Sequence, residues 1–128
     1  MMAAKSPRRS RSLKAARTEL EALRQEVETP ERLATDPLGY VPRDAPIVDQ
    51  ELLAFAAAGL AFGNVHAIGK SVQRVVDNIS DLSGLGFFGH RWVRGPDLVA
   101  VLGRVRQLQS EFGSLGSAFE AGYVPGDM

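Results

Sequence analysis

The sequence contains no cysteine, which excludes a disulfide framework, an iron–sulfur cluster and a cysteine-ligated zinc. Histidine is almost as scarce. The two present, His66 and His90, lie too far apart for a compact metal motif, so neither a metal nor a cofactor is read from the chain. An excess of one charge is also missing. Fifteen basic residues balance fifteen acidic ones, which argues against a strongly basic nucleic-acid-binding chain but leaves room for a local basic patch. The basic start is not followed by an apolar segment, so no signal peptide is read and a cytoplasmic location is expected. The longest apolar run, Leu52–Phe62, has eleven residues, well short of the roughly 20 that span a bilayer. No stretch alternates apolar and polar residues as a strand does. The 128 residues, 45% of them hydrophobic, make at most one ordinary domain, with normal apolar content.

What is present is helical. The run LLAFAAAGLAF at Leu52–Phe62 carries no polar side chain and no β-branched residue. Leu and Ala are strong helix formers. Asp49 and Glu51 precede the run, where acids suit a helix N-terminus, and Gly63 follows it, where a helix favours glycine. A helix apolar on all sides is a core helix, so this one is expected to be buried on nearly every side. Pro46 opens it early, with Ile47 and Val48 continuing it. The small residues Ala54, Ala57, Ala58, Gly59 and Ala61 leave room for neighbouring backbones, and a side chain added at Gly59 is expected to overpack.

Asn64 is a good N-cap for an amphipathic helix over 65–79, with Val65, Ile68, Val72, Val75, Val76 and Ile79 on its apolar face. The tight Gly63-Asn64 turn predicts an αα-hairpin with the central helix. Residues 1–11 start a run rich in arginine and serine with no acid, expected to be a disordered basic tail. A helical domain is expected over 12–123, and a second short tail over 124–128. Within the domain, Leu13, Ala16, Leu20, Leu23 and Val27 mark a first helix over 13–28. Thr29-Pro30 starts a short second one. Residues 36–42 hold two prolines and predict an extended loop, with Leu38 and Tyr40 tucked onto the core. The glycine-rich segment 80–94 predicts a long loop pinned by Leu85, Phe87, Phe88 and Trp92. Gly95-Pro96-Asp97 starts a helix with Leu98, Val101, Leu102, Val105, Leu108 and Phe112 as its stripe, ended by Gly113. Ser114 caps a last helix that ends at Gly122. The class is all-α. Five elements barely enclose an all-round apolar helix, so a further segment or a second copy of the chain is an expected partner for exposed apolar surface.

Chemistry is sparse. GLGFFG at Gly84–Gly89 lacks the lysine and the preceding strand of a phosphate loop. Asp49 and Glu51, two residues apart, face different sides of a helix and are no catalytic pair. No catalytic residue is identified. His66, near the start of its helix, reads as a surface residue. One constellation stands out. His90, Arg91 and Arg94 interleave with Trp92, and Asn64, Lys70 and Arg74 lie on the helix before them. Basic and aromatic residues together suit nucleic acid, with arginine and lysine on phosphates and an aromatic ring on a base. The competing reading has Trp92 anchoring its loop and the arginines merely solvated.

Four segments carry a family resemblance. They are ATDPLGYVPR at Ala34–Arg43, ELLAFAAAGLAFGNVHAIGKSVQRVV at Glu51–Val76, GHRWVRGPDLVAVL at Gly89–Leu102 and EFGSLGSAF at Glu111–Phe119. In this order they resemble an uncharacterised bacterial family, domain of unknown function 2400, which is distantly similar to the helix-hairpin-helix DNA glycosylases. The resemblance implies an orthogonal helical bundle like the N-terminal part of a glycosylase domain, with DNA as a partner. Members of that family are about twice as long. Their second half holds the region similar to the helix-hairpin-helix and the catalytic aspartate. This sequence has no Leu-Pro-Gly-Val-Gly-like hairpin, so the resemblance implies a truncated N-terminal half without glycosylase activity. The alternative is a structural or protein-interaction module, homodimeric or partner-dependent.

Overall fold

The structure, a computed structural model, describes residues 12–126. The basic tail expected over 1–11 and the last residues, 127–128, lie outside the described residues. The chain divides into two compact units between Arg32 and Leu33, a boundary inside the stretch 12–123.

The first unit holds helix α1 (Leu13–Val27), capped by Ser12, whose hydroxyl accepts from the Ala15 N–H at 3.2 Å. Arg24 bridges Glu21 and Glu28 at 2.6 Å each, one turn apart on an exposed face. Such exposed pairs add little to stability, because water screens them and two long side chains must be ordered. No residue of α1 is buried. Helix α2 (Pro30–Thr35), which contains that boundary, has Pro30 first, and the Thr29 hydroxyl accepts from the Arg32 N–H.

In the second unit, residues 36–42 are not simply extended. Asp36 accepts from the Leu38 N–H at 2.9 Å and caps a single 3-10 turn, Pro37–Tyr40. Proline at its first position fixes a helical φ and removes a donor that would have no partner there, so here it starts the turn. Tyr40 lies against Gly69, where any Cβ would strike its hydroxyl.

The central helix α3 spans Ile47–Gly59, opened by Pro46, whose carbonyl accepts from the Asp49 and Gln50 N–H groups. It ends four residues before Gly63. Leu52, Leu53, Ala56, Ala57 and Leu60 are buried, but Phe55, Ala58 and Gly59 are exposed. The expectation of burial on nearly every side is therefore corrected to burial on one broad face. The helix stops at Gly59 with Leu60 as its C-cap, and Phe62 lies beyond its end. Gly59 is corrected as well: a Cβ there meets nothing within 4 Å.

Helix α4 (Val65–Asp77) follows as the periodicity predicts, with Ile68, Val72 and Val75 inward. The segment expected as a loop holds more order than its glycines imply. A 3-10 turn, Leu82–Leu85, is capped by Asp81. A two-stranded antiparallel hairpin follows, β1 (Gly89–His90) and β2 (Val93–Arg94), with Gly89 opposite Arg94 and His90 opposite Val93. The ladder is too short for alternation to show in sequence. The Gly95 N–H extends it to the Phe88 carbonyl at 2.8 Å. Of the expected anchors, Leu85 and Phe88 are buried, whereas Phe87 and Trp92 are exposed.

Helices α5 (Gly95–Phe112) and α6 (Leu115–Gly122) complete the unit, separated by Gly113 at φ 89° and capped at Ser114. The class is all-α with one minimal hairpin. The core joins Leu52, Leu53 and Ala56 of α3 to Ile68, Val72 and Val75 of α4 and Leu98, Leu102 and Val105 of α5, closed by Leu85 and Phe88. No helix among the described residues is long and apolar enough to cross a membrane.

Candidate nucleic-acid interface

The start of α4 and the hairpin form one cleft. Asn64 fixes the helix start, its Oδ1 accepting from the His66 and Ala67 N–H groups at 2.9 and 3.4 Å. From there Lys70 and Arg74 recur at i, i+4 on one face. Opposite them stands the hairpin, with Gly89, His90 and Arg91. Asn64, Lys70, Ser71, Arg74, His90 and Arg91 line a cleft of about 330 Å³. Five of the seven residues singled out in the sequence thus share one cleft. Trp92 and Arg94 sit on the same hairpin outside it. His66 is exposed.

His90 holds the two walls together. It is 5% exposed and both ring nitrogens are engaged: Nδ1 lies 2.7 Å from the Ser71 hydroxyl of α4, and Nε2 lies 3.0 Å from the Phe62 carbonyl oxygen. A carbonyl can only accept, so Nε2 carries the proton and donates. In the neutral ring Nδ1 then accepts from the Ser71 hydroxyl. His90 is therefore a strut between the α3–α4 turn, α4 and the hairpin. Both its ring nitrogens are taken up by these two bonds, so within the cleft wall it holds the hairpin in place.

Phe62 is the second fixed point. The His90 ring meets it edge-on at 4.7 Å and 68°. The Trp92 indole stacks on it at 4.4 Å and 13°. Arg91, at the hairpin tip, has φ 53°, a left-handed backbone that a non-glycine residue holds only when its surroundings enforce it. Its guanidinium lies over the Gly63 turn, in space a side chain at position 63 would occupy. Gly63, at φ 98°, answers both demands: it adopts the conformation readily and leaves room for the arginine.

The charged residues lining this cleft are all basic. Lys70, Arg91 and Arg94 make no ion pair among the described residues. Arg74 lies 5.4 Å from the Phe88 ring centroid, a cation–π contact. Asp77, one turn beyond Arg74, accepts from Gln73 at 2.8 Å. Four cations with no carboxylate on them are free to pair with phosphates. No group of three or more potential metal ligands occurs among the described residues.

Ser71 was not singled out beforehand, although the sequence held a signal. It falls three residues after Ile68 and four before Val75, so a hydroxyl sits on an apolar stripe, and a buried polar group needs a partner. Nothing in the sequence marks Phe62 as that histidine's acceptor.

A family model described as "Protein of unknown function (DUF2400)" matches residues 36–127, a span that includes every residue of the cleft and hairpin. The comparison with curated proteins and that with solved structures gave no match.

Proposed function

The chain belongs to the DUF2400 family, and from that premise we propose that it is a nucleic-acid-associated module whose contact surface is the cleft between α4 and the hairpin. The observation that carries the reading is the convergence of Lys70, Arg74 and Arg91 on one cleft, with Arg94 on the adjoining strand and none of the four in an ion pair among the described residues. The cations pair with backbone phosphates, Asn64 holds the start of α4, and His90 fixes the hairpin against it. Similarity to glycosylase-like helical domains, carried by the ordered segments, makes DNA the first ligand to try. The role is binding alone, with base excision assigned to no residue of this chain.

The test is binding of an end-labelled oligonucleotide, followed by fluorescence anisotropy. Replacing Arg91 and Arg94 together by alanine should weaken binding about tenfold or more, since charge-assisted contacts contribute roughly 1.5–3 kcal/mol each when formed. The unchanged helical content of the variant serves as the folding control. An unaltered affinity would contradict the proposal.

A second reading rests on a different surface. Leu108, Phe112, Leu115 and Phe119 line an apolar groove between α5 and α6, with Phe119 71% exposed. On this reading the chain is a structural or interaction module whose groove is covered by a second copy, and the arginine variant is silent.

A further inference from the structure

We propose that the outer face of Trp92 is a stacking platform for an unpaired base, so that the site takes single-stranded or locally unpaired nucleic acid in preference to closed duplex. This rests on the nucleic-acid reading above and adds the class of target.

Trp92 is 74% exposed, yet it is held. Its inner face lies on Phe62 at 4.4 Å and 13°. Phe62 is braced by the edge of His90, and His90 is tied to Ser71 and to the Phe62 carbonyl. Each support is itself supported, back to the core helix α4. An indole that merely pinned its loop would turn both faces inward. Here one face is committed and the other is open, which is the geometry of a platform. A rigid aromatic also loses little conformational freedom when a base lands on it.

The neighbours fit the same target. Arg91 precedes Trp92 and Arg94 follows it by two residues, so phosphates on either side of a stacked base meet positive charge. Proteins that hold single strands combine these two elements, a cationic track for the backbone and aromatic faces for the bases. In a closed duplex the base faces are already stacked on one another, and only phosphates are within reach. The backbone at Arg91, held at φ 53°, aims the tip of the hairpin at the cost of local strain, as is common at ligand-holding sites. The exposed Phe119–Tyr123 pair, 5.8 Å apart, lacks this setting, because Glu120 lies between them in sequence and Glu111 lines the adjoining groove.

Trp92 is the only tryptophan of the chain, so its fluorescence reads the site without a label. The full chain is titrated at low salt with oligo-dT, with oligo-U and with a blunt duplex of equal length. Anisotropy of end-labelled strands is followed in parallel and reports binding whether or not stacking occurs. The expected result is saturable quenching by single strands and tighter binding of them than of duplex, with the dT and U arms separating DNA from RNA. Trp92→Leu should weaken single-strand binding about fivefold or more and duplex binding by less than about twofold, while Trp92→Phe keeps most of the affinity. Binding seen by anisotropy without quenching, or a silent Trp92→Leu, would overturn the platform and leave the phosphate-binding cleft standing. No binding of any nucleic acid would remove both.

Discussion

At the scale of single residues, two glycines show how differently the same residue type can be used. Gly95 begins α5 directly under the preceding 3-10 turn. A Cβ there would land on the Leu85 carbonyl oxygen and lie 2.6 Å from that of Gly86. Both obstacles are backbone, which cannot swing aside as a flexible side chain can. Gly95→Ala should therefore cost at or above the upper end of the roughly 1–3 kcal/mol typical of overpacking, read as a lower urea midpoint. Gly59 is the opposite case, an exposed helical glycine with open space at its Cβ position. Gly59→Ala should stabilise by about 0.4–1 kcal/mol, through a less disordered unfolded chain. The sequence favoured the reverse expectation for Gly59, because an apolar run shows composition and not which face looks inward. Caps were legible at this scale. Asn64, Thr29 and Ser114 each accept the hydrogen bonds their positions imply, since capping depends only on residues two or three apart in the chain. The His90–Ser71 bond spans 19 residues, and no local rule reaches that far.

At the scale of elements, α3, α5 and α6 are joined by a polar seam as well as by the core. Asp49 pairs with Arg106. Gln109, 6% exposed, donates to the Val48 carbonyl at 2.7 Å and to Glu51 at 3.0 Å. Glu51 also accepts from the Leu115 N–H at 2.8 Å, and so serves the first turn of α6 from across the fold. The Gln109 side chain, and after it the Leu115 N–H, hold the Glu51 carboxyl below the usual glutamate range. The folded-state value is thus lower than the unfolded one. The stabilisation is fully present above the unfolded value, about 4.3, and is lost as pH falls through the depressed folded value. Glu51→Gln should be less stable than wild type at neutral pH, and the gap should narrow below about pH 4.3 as the wild-type carboxyl takes up its proton. Urea unfolding at pH 7 and at successively lower pH measures this, and a gap constant with pH would refute it. Asp49 and Glu51 could be read from sequence as no catalytic pair. Their roles could not, since their partners lie 57 and more residues away. The helices themselves were largely legible, because α1, α4, α5 and α6 follow apolar spacing and start at a capping side chain or, for α5, at a proline in the first turn. The hairpin was not, because two residues per strand give no period to read.

At the scale of the whole molecule, the balanced net charge hides an uneven distribution. In the seam the Asp49 carboxylate is paired with Arg106, and that of Glu51 is held by Gln109 and the Leu115 N–H. Lys70, Arg74 and Arg91 line the α4 cleft with no acid in its wall, and Arg94 lies on the hairpin beside it. The sequence supplied the members of this cluster, because basic and aromatic residues interleave visibly in GHRWVRG. It did not supply the supporting set of His90, Phe62 and Ser71 that turns the cluster into a shaped site. The most direct test of the central claim is the salt dependence of oligonucleotide binding by the wild-type chain, measured as Kd across a series of salt concentrations. If three or four phosphates are neutralised in the cleft, log affinity should fall against log salt with a slope between about −2 and −3 for a single strand. A slope near zero would contradict a phosphate-binding cleft and would move the function to the apolar groove between α5 and α6.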